Sequence, residues 1–455
     1  MDYELILKDI KPTQEEKQHI DDVSFRLMTF LQNACDEKDI DAKVTLVGSV
    51  AKNTALKGKS DIDIFIAFPL GTDKQHLKKV GLDLAHMCCD EFDVDAQHHY
   101  ASHPYVTTEI EGCEVDIVPC YAINDGSELK SAVDRTILHT RYVKDKLSES
   151  QQDEVLLLKR FMAMTGTYGS EFKVGGFAGY LCELLIIHYG NFENTLKEAI
   201  KWKHGHSIDL ENYNTSKLFE GDSLIVIDPT DMNRNVAAAL RLNKMAEFIQ
   251  SARNFMFSDN KEDYFYPLKR NIKKEDILAK FDKRNSDLIA IKFNIPDMPL
   301  DTLHPQLKKT CEALEKKLNK EEFNVFKADY WSDEIITCVI LLEMASSKLN
   351  AIKVNVGPKV FINQACENFA AKYGRENCYI HDDFLVHTQE REFGNAEDLV
   401  GYIFTPEHIN LIKVGKNLKK TLIDTHKFIE IDEIENDGYW EFLDDFINPG
   451  QYIVR

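Results

Sequence analysis

The run DIDIFIAF, Asp61 to Phe68, carries two carboxylates at alternate positions at the head of an otherwise apolar segment that ends at Pro69. Its β-branched and aromatic residues predict a strand. In a strand alternate side chains share a face, so Asp61 and Asp63 project together while Ile62, Ile64 and Ile66 project to the other side. Like charges so placed destabilise each other unless a cation stands between them, and a divalent cation is the natural candidate. Aspartate oxygens suit Mg²⁺, which takes one or two carboxylates and completes its octahedron with water and substrate phosphate. The plain alternative is an edge strand with a wet face, and the flanking residues decide against it.

A third carboxylate, Asp116, interrupts the apolar strand CEVDIVPCY in the same way. Three carboxylates and two metals would stabilise both the attacking and the leaving oxygen of a phosphoryl displacement. Upstream, the strand AKVTLVG ends at Gly48-Ser49, and SVAKNTAL is read as the start of a short helix. A glycine turn lets backbone N–H groups approach phosphate, Ser49 offers a hydroxyl, and Lys52 supplies charge.

The rest of the chain divides by its periodicity. Residues 14 to 38 space Ile20, Val23, Leu27, Phe30 and Leu31 as an amphipathic helix, and HLKKVGLDLAHMCCDEF is helical again. VDAQHHYA, YVTTEIEG and CEVDIVPCY read as three strands. The order helix, strand, strand, helix, then three strands predicts a compact α/β domain over a mixed sheet. From about Asp134 the pattern is of packed helices, running through DPTDMNRNVAAALRLNKMAEFIQSARNFM to roughly residue 257. Beyond it, DLIAIKFNI, DTLHPQLKKTCEALEKKLNK and EIITCVILLEM read as strand, helix and strand of a further α/β region. At 455 residues the chain is long for a single core.

A formal charge of −21, from 76 acidic and 55 basic residues, excludes a protein coated in basic surface, so any nucleic-acid contact has to be local. No run of apolar residues is long enough to span a membrane, and the N-terminal residues do not form a signal peptide, which predicts a soluble, intracellular protein. The ten scattered cysteines read as reduced core thiols. His98, His99 and His103 have no second metal-binding cluster beside them, which argues against zinc.

The pattern GSxxxxTxLxGxSDIDxF, with Asp116 behind it, resembles the nucleotidyltransferase superfamily that includes DNA polymerase beta, poly(A) polymerases and CCA-adding enzymes. The blocks VGSVAKNTALKGKSDIDIF, EVDIVPCY, SAVDRTILHTRYV, YGSEFKVGGFAGYLCELLIIHYG and VIDPTDMNRNVAAAL resemble, in order, the archaeal (class I) CCA-adding enzymes. The resemblance implies an α/β and α multidomain chain: a polymerase-beta-like catalytic head with a mixed sheet over residues 1–145, a helical neck over 146–260, and an α/β body and tail over 261–455. It further implies template-independent addition of C, C and A to the 3′ end of tRNA from CTP and ATP with release of pyrophosphate, Mg²⁺ as cofactor, a cytoplasmic location and a homodimer. Carried over by position, Asp61, Asp63 and Asp116 hold the metal, Gly48, Ser49 and Lys52 meet the triphosphate, His139, Lys159 and Tyr168 contact the nucleotide, and Arg234 faces the base. Two positions depart from the pattern: Lys52 stands where relatives often have Arg, and Asp61 where archaeal relatives often have Glu.

The same residues have readings independent of any family. His139 follows an apolar pair and suits either a satisfied core position or a ligand. Lys159, on the apolar helix LLLKRFM, either reaches out to water or meets an anion. Tyr168 lies between glycines, exposed to a ribose or simply at the surface. Arg234 reads as part of a loop, as a fork for base edges or as a loop cap. For RNA, the local basic clusters are Lys269, Arg270, Lys273 and Lys274; Lys308 and Lys309; and Lys413, Lys416, Lys419 and Lys420. Rival readings are a poly(A) polymerase, a small-substrate nucleotidyltransferase, and a non-catalytic RNA-binding relative.

Overall fold

The computed structural model describes residues 1–59, 61–100 and 104–455; Ser60 of the SDID motif and His103 of the histidine group lie outside the described residues. The chain forms two compact units, Met1–Lys269 with Gly450–Arg455, and Arg270–Pro449.

The first unit begins with α1 (Tyr3–Ile10) and α2 (Gln14–Glu37), which Thr13 and Glu16 start through a reciprocal capping box. Then follow β1 (Lys43–Val47), the one-turn α3 (Gly48–Ala51), β2 (Ile62–Phe68), α4 (Lys74–Glu91), β3 (Gln97–Tyr100), β4 (Pro104–Ile110) and β5 (Cys113–Tyr121). The sheet order is β1-β2-β5-β4-β3, with β2 and β5 parallel and the other neighbours antiparallel. This is the mixed sheet expected from the order of helices and strands. Helices α2 and α4 cover one face, burying Leu27, Leu31, Leu77 and Leu84 against Ile62, Ile64, Ile66, Val115 and Ile117. Gly81 lets α4 approach β5, since a Cβ there would stand 2.4 Å from the Pro119 ring. The other face packs Phe65, Ala67, Val118 and Cys120 against Ile137 of α5 (Arg135–Lys146). Asp61, Asp63 and Asp116 belong to this second face, ahead of the part that α5 covers.

The remaining helices of this unit, α6 (Glu149–Met164), α7 (Gly179–Tyr189), α8 (Phe192–Ala199) and α9 (Leu242–Phe257), share one core centred on Phe161, which meets the rings of Phe192, Phe248, Phe255, Tyr264 and Phe265. The region expected to be helical also carries a small sheet, β6 (His206–Ile208), β7 (Leu224–Asp228) and β8 (Asp231–Asn235). Arg234, expected in a loop, lies on β8. The reason is tertiary: LIVID is buried on every side, a pattern that short apolar runs share with buried helices, and the Pro229-Thr230 turn folds β8 back onto it.

The second unit contains α10 (Lys274–Arg284), β9 (Asp287–Asn294), α11 (Leu300–Lys320), β10 (Val325–Ser332), β11 (Thr337–Met344), β12 (Ile352–Lys359), α12 (Asn363–Tyr373), β13 (Cys378–His381), β14 (Phe384–Glu390), α13 (Ala396–Ile403), α14 (Leu418–Thr425), β15 (Lys427–Ile429) and α15 (Asp437–Ile447). Its four-stranded sheet, β10-β11-β9-β15, has α11, α13 and α14 on one face and α10 with α15 on the other. This explains why CVILL reads as continuously apolar. Strands β12, β14 and β13 form a separate three-stranded sheet. All ten cysteines are free thiols, eight of them buried. Among the described residues, no helix is long and apolar enough to cross a membrane.

Candidate active site

The parallel pairing of β2 and β5 sets Asp63 directly beside Asp116, in a register that also pairs Ile62 with Val115 and Ile64 with Ile117. On the flanking strands Val47 is opposite Asp63, and Thr107, opposite Asp116, donates its hydroxyl to Asp116 Oδ1 at 2.5 Å. Asp61 is exposed just before β2. Gly48 begins α3 with φ of +75°, and a Cβ built on it would lie 1.9 Å from Asp63 Oδ2. A side chain at position 48 is therefore excluded twice, by the left-handed backbone and by the carboxylate lying over it.

The electrostatics of this group suit a cation. Burial, then Asp116 and Asp61, push the Asp63 carboxyl up to about 7, against the pull of Lys52. Burial also raises Asp116, with Asp61 adding to the rise and the Thr107 hydrogen bond opposing it. Glu114 is raised by burial and by Asp61 and Asp116. Among the described residues, no three His, Cys, Asp or Glu side chains close into a ready-made cage. An open, carboxylate-only edge is the donor set that suits a hard divalent ion retaining water and substrate oxygens, so the residues fit such an ion.

A second cluster lies behind α3. Lys52 Nζ meets Glu183 Oε2 at 2.6 Å, and Glu183 Oε1 accepts from Thr54 Oγ1 at 2.6 Å and from Lys159 Nζ at 3.3 Å. Lys159 also donates to the Thr54 carbonyl at 2.9 Å. Both lysines and Glu183 are buried. Lys159, which had to reach water or an anion, has met a carboxylate supplied by α7. Burial opposes the charge on Glu183, but Lys159 and Lys52 hold its carboxyl below the ordinary range. Burial draws Lys159 down, Glu183 resists, and the nearby Lys52 adds to the fall.

The third cluster turns on Asp228, fully buried at the end of β7. Its Oδ2 receives Arg234 Nη1 at 2.7 Å and lies 2.9 Å from His139 Nε2; its Oδ1 accepts from Thr230 N at 2.9 Å and Tyr180 Oη at 3.3 Å. The His139 and Tyr180 rings stack at 3.9 Å. Burial would raise Asp228, but the hydrogen bonds from His139 and Thr230 and the charge of Arg234 hold it well below the carboxylate range. Burial lowers His139 despite Asp228. Lys52 joins the clusters, lying 5.9 Å from the Tyr180 ring centre and bearing on Asp63. Tyr168 adjoins Lys159: a Cβ on Gly179 would stand 3.2 Å from Tyr168 Oη and 3.4 Å from Lys159 Nζ.

The structure thus groups Gly48 with Asp63 and Asp116, Lys52 with Lys159, and His139 with Arg234. Ser49 lies in α3, and its carbonyl accepts from Thr54 N at 3.0 Å, closing the turn that carries Lys52. Sequence reasoning missed Glu183, Asp228 and Tyr180. The signal for the two acids was present: Glu183 is the lone charge in YLCELLII, and Asp228 ends LIVID as Asp61 and Asp63 begin DIDIF. An acid committed to an apolar run is costly unless it is paired.

A parallel pair of acid-bearing strands beside a glycine turn and buried ammoniums can bind a metal-complexed polyphosphate. A family profile described as a nucleotidyltransferase domain matches residues 27–139. Fold and site define the class: a polymerase-beta-like nucleotidyltransferase. Two more profiles match, the second domain of tRNA nucleotidyltransferase over residues 153–266 and the C-terminal domain of CCA-adding enzymes over 284–430. The chain is 44% identical to the CCA-adding enzyme of Methanothermobacter thermautotrophicus, covering 100% of this chain and 99% of that one. It is 38% identical to the CCA-adding enzyme of Methanosarcina acetivorans, covering 94% and 93%. It belongs to the CCA-adding enzyme family. Among solved structures, the Cid1 poly(U) polymerase with Mg 3′-dATP bound aligns over 58% of this chain and 96% of its own, at 13% identity and a TM-score of 0.47.

Proposed function

We propose that the chain adds and repairs the 3′-terminal CCA of tRNA without a nucleic-acid template, using CTP and ATP and releasing pyrophosphate. The observation that carries this reading is the in-register pair Asp63 and Asp116 beside a buried two-lysine cluster, in a chain matched end to end by CCA-adding enzymes. Divalent-metal dependence is general for the class, and the ion assigned here is Mg²⁺, held by Asp61, Asp63 and Asp116. When bound, it lowers the pKa of the attacking hydroxyl and neutralises the departing pyrophosphate.

The chain's own residues bind and orient. Gly48 keeps the α3 turn clear for phosphate, Ser49 offers a hydroxyl, and Lys52 and Lys159 supply positive charge to the triphosphate. Tyr168 borders the same space. Asp228 fixes the guanidinium of Arg234, leaving its remaining N–H groups for the edge of cytosine or adenine, and it orients His139 toward the nucleotide. Thr107 steers Asp116.

In the second unit α11 and the following loops bring Lys309, Lys316, Lys317, Lys320 and Lys413 around one cleft, a local basic track for an RNA backbone. Arg270 and Lys274 are instead engaged by Asp445 and Glu435. We assign residues 1–145 to the catalytic head, 146–260 to the neck and 261–455 to body and tail. We extend the reading to a homodimer working in the cytoplasm.

The test is incubation with tRNA lacking its last three nucleotides, CTP, ATP and Mg²⁺, followed by product sizing. The product gains C, C and A; a long A tract or no extension overturns the reading. Asp116→Asn lowers the rate by about a thousand-fold, several kcal/mol at roughly tenfold per 1.4 kcal/mol, with the fold unchanged.

A further inference from the structure

We propose that Glu183 is a positioning residue for triphosphate capture: one buried carboxylate fixes the Lys52 and Lys159 ammoniums at a common point and cancels one of their two charges, leaving one net positive charge for the phosphates. The inference rests on the reading above, which gives the two lysines to the triphosphate and gives Glu183 no task.

Glu183 is fully buried on α7, between Leu181, Cys182, Leu184 and Leu185. A carboxylate there is costly unless every lone pair is used. Both oxygens are used, and together they join two parts of the unit: Oε2 takes Lys52 from the turn after α3, and Oε1 takes Thr54 from the same turn and Lys159 from α6. An ion pair that served the fold alone would need one lysine. Two ammoniums on one carboxylate leave one net positive charge in the cluster, on the side of Lys52 that bears on Asp63. The other titratable groups facing the cluster are Tyr168 and Cys182 near Lys159, and Tyr180, His139 and Asp63 near Lys52.

Glu183 performs two tasks in this arrangement. It holds two flexible side chains at fixed sites before the nucleotide arrives, which lowers the entropy lost on binding. It also opposes the lowering of Lys159 by burial and by the charge of Lys52. Removing the carboxylate charge lets Lys159 lose its proton at lower pH, so nucleotide affinity in the variant falls off at lower pH than in the wild type.

The experiment uses the full chain. Calorimetry measures binding of inorganic tripolyphosphate and of CTP from neutral to alkaline pH, and steady-state assays give KM and kcat for CTP on truncated tRNA. In Glu183→Gln, tripolyphosphate and CTP both weaken by about tenfold or more. KM for CTP rises more than kcat falls, and the alkaline limb moves to lower pH. Wild-type tripolyphosphate affinity in the variant overturns the proposal. A lowered melting temperature with unchanged affinity and pH profile overturns it too, because that is the result of a purely structural role. Should Glu183→Gln not fold, Glu183→Asp, one methylene too short to reach both ammoniums, is judged by the same criteria. Failure of the wild type to extend tRNA would count against the functional reading alone, while the tripolyphosphate arm still decides the role of Glu183.

Discussion

Asp63 shows how one residue carries a site's electrostatics. Burial, with the acids Asp116 on the neighbouring strand and Asp61 nearby adding to it, pushes its carboxyl up to about 7. A carboxyl raised on folding binds protons more tightly in the native state, so it favours the fold at low pH, and that contribution is lost as pH rises from the ordinary carboxylate range through about 7. A divalent ion reverses this penalty by pairing with the ionised group. Mg²⁺ should therefore raise the melting temperature more at pH 8 than at pH 6, at roughly 2–4 °C per kcal/mol of binding free energy. Calorimetry with Mg²⁺ or with chelator checks it, and an equal shift at the two pH values would remove Asp63 from the metal site. The two aspartates were legible as a pair from alternation alone. The raised proton affinity of Asp63 was not, because it depends on burial and on Asp116.

At the scale of elements, α6 and α7 do two jobs with opposite faces. Phe161 of α6 stands at the middle of an aromatic core, while Lys159, two positions earlier, meets Glu183 of α7. Helical period predicted the core face correctly, since LLLKRFM is apolar apart from one lysine and one arginine. It did not predict what the lysine meets, because helix period says nothing of the partner helix. Phe161→Ala should destabilise the first unit by about 3–5 kcal/mol through the cavity it leaves. Urea unfolding followed by the fluorescence of Trp202, which is buried in the same core, measures this. A loss under about 1 kcal/mol would mean that the surrounding rings close the gap. The β7–β8 hairpin is the element least legible in the sequence. LIVID is short enough to suit either secondary structure, and only its pairing with β6 and β8 makes it a strand.

For the whole molecule, the question is how a chain of net charge −21 binds an acidic RNA. The average field is repulsive, so attraction has to be short-ranged and strongly dependent on salt. The cleft lined by Lys309, Lys316, Lys320 and Lys413 concentrates positive charge on the second unit. Combining Lys309→Gln, Lys316→Gln and Lys320→Gln should weaken tRNA binding and reduce the dependence of log affinity on log salt by about one for each phosphate that is no longer neutralised. KM for CTP should stay unchanged. Filter binding over a salt series measures the slope, and an unaltered slope would place the RNA elsewhere.

The sequence by itself determined what depends on neighbours along the chain: the alternation of β2 and β5, the amphipathic α2 and α4, the glycine turn, and the family resemblance of the ordered blocks. Tertiary structure alone decided what depends on residues far apart in the chain. Asp63 finds Asp116 through the parallel register of β2 and β5, Lys52 finds Glu183 across 131 positions, and His139 finds Asp228 across 89. Local periodicity states which face a side chain occupies, and it carries no record of which distant face folds against it. The buried acids therefore appeared in the sequence only as charges out of place, and packing supplied the cations and hydrogen-bond donors that pair with them.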